Sequence, residues 1–262
     1  MHQYLFFIGN FPIRLYGIFF SLGIISGCIT AYFLLKKDRR GWESHMFDLG
    51  LVIAFAGIVG GRLWDVFFFD WEYYHNHLLE IPYIWQGGMA IQGGIIFACI
   101  AAYFYLKKHQ IPVLPFADTV TPGIILGQAI GRIANFMNGD AFGHPTGQDF
   151  GLLYPDTTLA YHTYGAQPLW PAEVWECQGD LLIFVLLLWY GCKTRTEGTT
   201  FCLYNMLYSL LRFFLENYRG DYGTLALGLK SAQLTSLAAF AGAFILFLYF
   251  HFKYKSKSGI SE

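Results

Sequence analysis

Apolar runs of about twenty residues recur along the whole chain, and no other feature of the sequence limits its fold so tightly. A helix that crosses a bilayer needs roughly 20 such residues, because each advances the axis by about 1.5 Å and the hydrocarbon is about 30 Å thick. On that length scale the sequence predicts about seven segments: 14–35, 47–69, 88–106, 115–137, 171–191, 199–217 and 232–252. In lipid each backbone N–H and C=O must find its partner inside its own segment, so these runs are expected to be helices. Of the 262 residues, 55% are hydrophobic, 19% aromatic and only 13% charged, too little charge for a soluble domain of this size. The expected class is therefore all-α, a polytopic membrane protein.

Charge placement predicts the direction of each segment. Lys36-Lys37-Asp38-Arg39-Arg40, Lys107-Lys108-His109, Lys193-Thr194-Arg195 and Lys253-Tyr254-Lys255-Ser256-Lys257 follow the first, third, fifth and seventh runs. Basic loops stay cytoplasmic, so odd segments are expected to run inward, with the N-terminus outside and the C-terminus in the cytoplasm. No basic stretch precedes the first run and no small-residue cleavage site follows it, so it is expected to remain as a span. A formal net charge of −1 lacks the basic face of a nucleic-acid partner. Cys28, Cys99, Cys177, Cys192 and Cys202 lie in or beside apolar runs with no CxxC spacing, and read as small apolar residues instead of disulfides or metal ligands. No repeat or linker divides the chain, so residues 1–262 are expected to form one helical domain with an extracytoplasmic loop region around 139–170. Gly23, Gly27, Gly57, Gly60 and Gly61 are expected to let helices pack backbone to backbone.

With these directions, polar residues from six segments collect in the outer half of the membrane. They are Arg14 and Tyr16 of the first run, Arg62 and Asp65 of the second, Gln92 of the third, and Arg132, Asn135 and Asn138 of the fourth. Glu173 and Glu176 come from the fifth, Arg212 and Glu216 from the sixth. Charges in hydrocarbon cost roughly 2.5–3.5 kcal/mol each on insertion scales, so they face a bundle interior and pair. Arg212 with Glu216 (four apart) and Arg62 with Asp65 (three apart) can pair along one helix face. Arg132 has no acid within a turn of its own helix, which leaves two readings. It snorkels to the headgroups while Asn135 and Asn138 cap the helix and Gly139 ends it, or it joins other guanidinium groups in a site for an anion. Arginine grips phosphate through two parallel charge-assisted hydrogen bonds, and at this depth the abundant anion is a phospholipid headgroup. Gly87-Gly88 and Gly93-Gly94 give a backbone bend that can approach such a headgroup, or simply a loop and a packing surface. Trp170, Trp175 and the aromatic stretch Phe67 to Tyr74 are expected at the membrane interface.

Gly131-Arg132-Ile133-Ala134-Asn135-Phe136-Met137-Asn138-Gly139 resembles the signature of the prolipoprotein diacylglyceryl transferases, bacterial membrane enzymes that lipidate lipoprotein precursors. Arg14-Leu15-Tyr16-Gly17 resembles their first-span motif, Ile84 to Gly94 their glycine-rich third-span entry, and Arg212-Phe213-Phe214-Leu215-Glu216 with Arg219 their sixth span. The resemblance implies seven spans with the N-terminus outside, in the bacterial cytoplasmic (inner) membrane, with the site facing the exterior. It implies transfer of the diacylglyceryl group of phosphatidylglycerol to the lipobox cysteine of a prolipoprotein signal peptide, releasing glycerol phosphate without a cofactor. On it, Arg132 and Arg212 grip the phosphate, Tyr16 and Glu216 orient them, and Asn135 and Asn138 hydrogen-bond the headgroup. Gly139, Asp140, Gln92, Gly93, Gly94, Arg219 and Glu173 complete the substrate-binding set.

Several positions depart from the family pattern. Gln92 stands where His or Tyr is usual, Trp170-Pro171-Ala172-Glu173-Val174-Trp175-Glu176 where His-Pro-x-x-Leu-Tyr-Glu is usual, Ala134 replaces a glycine, and Asp140 replaces Glu. Glutamine cannot accept a proton as a general base. Glu216, Glu173, Asp140 or the loop residue His162 remain as acceptors, or the arginines simply lower the thiol pKa. The same departures suit a second class, a paralogue that binds lipid or lipopeptide without turnover or serves a different acceptor. An anion transporter fits less well, because the polar residues gather on one side and no inverted repeat is visible.

Overall fold

The computed structural model describes residues 1–258 except 2, 10, 192–195, 221–222 and 227. Each apolar run is helical. The long helices among the described residues are α1 (Leu15–Asp38), α2 (Met46–Trp64), α3 (Ile91–Lys108), α4 (Val113–Asn138), α5 (Ala172–Gly191), α6 (Thr199–Leu215) and α7 (Ser231–Ser258). A π-helical turn, Asp65–Phe69, prolongs α2, and a 3-10 turn, Glu216–Tyr218, prolongs α6. This is an all-α, multi-pass membrane protein. Four stretches are long and apolar enough to cross a bilayer by themselves: Leu15–Asp38, Trp42–Phe69, Val113–Asn138 and Ser231–Lys253. The other three helices are shorter or more polar; α5 alone carries Glu173, Glu176 and Asp180. The cluster Lys193 to Arg195 and Cys192 fall outside the described residues, whereas Cys28, Cys99, Cys177 and Cys202 are free thiols.

The short strands were not foreseen. A hairpin of β1 (Tyr4–Ile8) and β2 (Phe11–Arg14) precedes α1, so Arg14 closes a strand and does not open the first helix. A second hairpin, β3 (Thr224–Ala226) with β4 (Leu229–Lys230), leads into α7. Strand pairing of this kind depends on the partner strand more than on local pattern, which is why a length-based reading passes over it.

The chain forms two compact units, Met1–Leu34 with Ala117–Glu262, and Leu35–Phe116. In the first, α1 and α4 meet through glycines: a Cβ on Gly27 would stand 2.7 Å from the Gly123 carbonyl oxygen, and one on Gly23 would stand 2.8 Å from that of Gly127. A backbone carbonyl cannot swing aside as a side chain does. Gly27→Val is therefore expected to destabilise by about 1–3 kcal/mol through overpacking. Gly17→Val, where a Cβ meets nothing within 4 Å, is not; thermal unfolding of both variants in detergent checks this. Ile125, Ile183, Leu187 and Tyr204 form the buried centre where α4, α5 and α6 meet. The Asp118 carboxylate accepts from the Gly198 and Phe201 N–H groups at 2.6 and 2.8 Å, satisfying orphan donors at the start of α6 from a different helix.

The stretch 139–170 is not an open loop. Phe142, Tyr154, Ala160 and Leu169 form a small core of their own, with a short helix Leu159–Tyr164 whose N-cap Thr158 accepts from the Tyr161 N–H. Trp170 and Trp175 are half-buried. Their ring centroids lie 5.5 Å apart, and both pack on Tyr218 at 5.3 and 5.2 Å.

In the second unit α2 and α3 also meet on glycines, Gly60 against the Gly93 carbonyl and Gly57 against that of Gly94. Gly93 and Gly94 thus serve helix packing there. Arg62 is buried and pairs with Asp65 at 4.0 Å as expected, yet most of its donors go elsewhere. They reach the carbonyls of Ile81 (2.7 Å), Gly87 (2.7 Å), Gly88 (3.0 Å) and Glu80 (3.1 Å), and the guanidinium lies 4.9 Å above the Tyr74 ring. One side chain organises the whole turn. Gly88 adopts φ +72°, and a Cβ there would meet Asp65 and Arg62, so its approach is to that pair. Phe67, Phe68 and Phe69 are exposed whereas Tyr74 is buried, and Gln92 is exposed at the start of α3.

Candidate active site

α4 ends in a left-handed Gly139, φ +72°, whose N–H bonds the Asn135 carbonyl at 2.9 Å. The Thr158 methyl occupies the place a Cβ would take, so the position demands glycine twice over. The turn brings Asp140 back over the helix end. Its two carboxylate oxygens accept from the side-chain amides of Asn135 and Asn138, each at 2.6 Å. The asparagines therefore position a carboxylate first; a headgroup can take only what N–H capacity is left.

Arg132 does not snorkel. Its Nη2 lies 2.7 Å from Glu176 Oε1 on α5 and 3.4 Å from the Tyr208 hydroxyl on α6, and its Nη1 donates to Asn135 Oδ1 at 3.3 Å. Arg212 reaches the same Glu176 at 3.1 Å with one nitrogen and Glu216 at 3.0 Å with the other. Arg219 completes the ring, 3.5 Å from Glu176 and 3.9 Å from Glu216. Three guanidinium groups thus share two carboxylates, leaving one positive charge over within the ring. Arg132, with no acid within a turn of its own helix, finds one on α5. A buried charge left unpaired would cost several kcal/mol, and Glu176 removes that cost by serving three partners at once. The arginine side chains at 132 and 212 keep 19% and 15% of their surface open, while Glu176 has 1% and Glu216 none, so cations face outward and acids stand behind.

Several contacts hold this ring in register. Arg219 bridges to Gly143 as an isolated β-pair, the His144 N–H bonds the Tyr218 carbonyl at 2.9 Å, and the Tyr164 hydroxyl donates to the Gly220 carbonyl at 2.9 Å. The folded 139–170 stretch thereby fixes Arg219. Lys230 donates to the Glu216 and Arg219 carbonyls at 2.9 and 2.5 Å, placing a cation at the C-terminal end of the turn after α6. Tyr16 on α1 is half-buried within electrostatic range of Asp140 and Arg132.

Glu173 is fully buried and accepts from the Tyr154 hydroxyl. Burial, and then the Glu173 carboxylate, push the Tyr154 phenol well above its ordinary value of 10. The folded protein keeps this proton where an unfolded chain releases it. The stabilisation is complete below about pH 10 and declines as pH rises past that value. Tyr154→Phe leaves a buried carboxylate without its donor, so at neutral pH it is expected to lose about 1–3 kcal/mol. Above pH 10 its stability should fall less steeply than that of the native chain, a difference that unfolding midpoints across the alkaline range would resolve.

Of the residues picked out by sequence, Tyr16, Arg132, Asn135, Asn138, Gly139, Asp140, Glu173, Arg212, Glu216 and Arg219 lie in the first unit. Gln92, Gly93 and Gly94 belong to the second. His162 is exposed on the short helix. Glu176, the hub of the ring, was not placed in the site, nor were Tyr154, Tyr208 and Asp180. Asp180, one turn beyond Glu176, is fully buried with neither carboxylate oxygen hydrogen-bonded among the described residues. The signal was present: Glu173, Glu176 and Asp180 fall at i, i+3 and i+7, an acidic stripe on one face of an apolar helix, which makes sense only opposite cations.

The description of the Prolipoprotein diacylglyceryl transferase family matches residues 3–249 of this chain. The phosphatidylglycerol–prolipoprotein diacylglyceryl transferase of Clostridium botulinum (strain Langeland) is 35% identical over 238 residues, covering 90% of this chain and 92% of the relative. That of Finegoldia magna is 36% identical over 259 residues, covering 98% and 97%. That of Staphylococcus saprophyticus is 36% identical over 234 residues, covering 88% and 82%. With the match running from the N-terminal hairpin to α7 and relatives aligned nearly end to end, the chain belongs to the prolipoprotein diacylglyceryl transferase family.

Proposed function

We propose that this protein transfers the diacylglyceryl group of phosphatidylglycerol to the thiol of a prolipoprotein's lipobox cysteine, in the bacterial cytoplasmic (inner) membrane with its site facing the exterior. The observation that carries this reading is the convergence of Arg132, Arg212 and Arg219 on Glu176 and Glu216. In the reaction the thiol sulfur bonds to the glycerol carbon, that carbon's bond to the phosphate oxygen breaks, and the electron pair leaves with glycerol phosphate. The leaving phosphate gains charge as it departs. A ring with surplus positive charge favours that departing group over the bound diester, which is the condition for lowering the barrier and not merely binding the lipid. Arg132 and Arg212, the more open of the three, grip the phosphate; Arg219 and the two glutamates hold them in place. Asp140 is half-buried beside Tyr16 and Arg132, and takes the thiol proton better than the sealed Glu173 and Glu216.

The test is direct: purified protein with phosphatidylglycerol and a lipobox peptide should give a peptide heavier by one diacylglyceryl group in mass spectrometry. Absence of the adduct, where the Clostridium botulinum relative forms it, would remove this reading. Gln92, which offers no general base, supports the alternative of a lipid or lipopeptide binder without turnover. Retained phosphatidylglycerol binding in the same failed assay would select it.

A further inference from the structure

Apart from Arg14 at its base, opposite Tyr4, the hairpin before α1 turns apolar side chains outward among its described residues. Phe6 and Phe7 lie in a regular part of the ladder, opposite Ile13 and Pro12, so they project to opposite sides of the two-stranded sheet. They are 50% and 60% exposed, and Tyr4 and Leu5 before them are 41% and 55% exposed. An antiparallel ribbon in water normally turns apolar side chains to one side and polar ones to the other. This one exposes apolar side chains, Phe6 and Phe7, on both, and its one charged residue, Arg14, lies at the end that joins α1.

Chain continuity limits where it can be. Arg14 ends β2 and Leu15 begins α1, with no linker between, and α1 is long and apolar enough to cross the bilayer. The hairpin is therefore held at the level where α1 leaves the hydrocarbon. On its other side Gln3 ties it down: its side-chain amide donates to the Asn138 carbonyl at 3.0 Å and the Thr157 carbonyl at 3.2 Å, and its own carbonyl accepts from the Leu15 N–H at 2.9 Å. The same strand that presents Phe6 and Phe7 thus begins at the end of α4, one residue from Gly139.

We infer that this hairpin is a wedge immersed in the phospholipid interface, with Phe6 and Phe7 in the glycerol and upper acyl layer, forming a lip beside the end of α4. The occupant of both faces is lipid. Aromatic side chains partition to this layer, and a ribbon whose edge groups reach the headgroup water can enter it where a flat sheet in hydrocarbon could not. The inference rests on α1 crossing the membrane and not on the transfer reaction.

The experiment uses the full chain in nanodiscs of phosphatidylglycerol and phosphatidylcholine, with a dansyl amino acid placed by stop-codon suppression at position 6, at position 7, or, as an exposed control, at Gln148. Nitroxide carried on the upper acyl chain should quench positions 6 and 7 several-fold more than position 148, and aqueous iodide should show the reverse order. Strong iodide quenching at either position 6 or position 7, equal to that at 148, would overturn the wedge, because one face would then be in water. The pair Phe6→Ser and Phe7→Ser gives a second readout that does not rely on the label. In vesicles at limiting lipid, the doubly substituted protein should show slower trypsin protection of the N-terminal segment than the native chain; equal protection would count against immersion.

Discussion

Glu176→Gln is expected to destabilise the protein by about 3–5 kcal/mol and to lower kcat/KM by at least about a hundredfold. The side chain is 1% exposed and touches Arg132 at 2.7 Å, Arg212 at 3.1 Å and Arg219 at 3.5 Å. Glutamine has nearly the same shape but no charge, so three guanidiniums would face one another with only Glu216 between them. Removing one partner of a buried pair costs that much because the charge left behind is neither hydrated nor matched. For a domain whose whole stability is of order 5–15 kcal/mol this is a large share. Glu176→Asp restores the charge with a shorter reach, and should recover most of the stability but less of the activity. Chemical unfolding in detergent with the mass-spectrometric transfer assay would settle both. A Glu176→Gln protein within 1 kcal/mol and tenfold of native would mean that the arginines are held apart by something other than this carboxylate.

The long helices were legible because the bilayer makes the code simple. A run such as 115–137 has one way to satisfy its backbone in lipid, and α4 duly spans Val113–Asn138. Pairs within one helix were legible for the same reason: Arg212 and Glu216 stand one turn apart whatever surrounds them, and meet at 3.0 Å. What could not be read was anything depending on how one helix is rotated against another. Arg132 had no acid near it in sequence; its partner sits 44 positions later on α5, and only packing decides that the two faces meet. Asn135 and Asn138 carry donors that suit a headgroup or a carboxylate equally, and the left-handed turn at Gly139 chose Asp140. Arg62 shows the converse. Its helical neighbour Asp65 was visible, but the four carbonyls it binds between Glu80 and Gly88 were not, since backbone acceptors leave no mark in composition.

Polar groups also run deeper than one end of the bundle. Tyr204 donates to Gln128 at 2.6 Å, and Asp180 lies one turn from Glu176, so α4, α5 and α6 each supply a polar residue beneath the ring. Gln128 is offset by one turn from Arg132 and Asp180 by one turn from Glu176, while Tyr204 lies two turns from Arg212. The ring is therefore the outer layer of a polar seam along three helices, and Tyr208, which accepts from Arg132 at 3.4 Å, connects the layers.

Arg132→Lys should separate the two roles assigned to this residue, because it keeps the charge and removes the fork. The native guanidinium sends Nη1 to Asn135 and Nη2 to Glu176 and Tyr208, in directions fixed by one rigid plane. An ammonium is a single point on a flexible stem, so it can sit on Glu176 or turn to a phosphate, but cannot hold Asn135 and Glu176 while doing so. Charge balance in the ring is preserved, and stability should fall by less than about 1.5 kcal/mol, far below the Glu176→Gln loss. Activity should fall much further, by about a hundredfold in kcat/KM, equivalent to about 2.7 kcal/mol of lost barrier lowering at about 1.36 kcal/mol per tenfold. Loss of a bidentate grip that tightens as the phosphate departs would lower kcat itself, whereas a uniform loss of lipid binding would only raise KM. Titration with phosphatidylglycerol vesicles and initial rates on the lipobox peptide distinguish these outcomes. A lysine variant with full lipid affinity and full turnover would show that Arg132 supplies only charge, and the phosphate fork would then have to be assigned to Arg212.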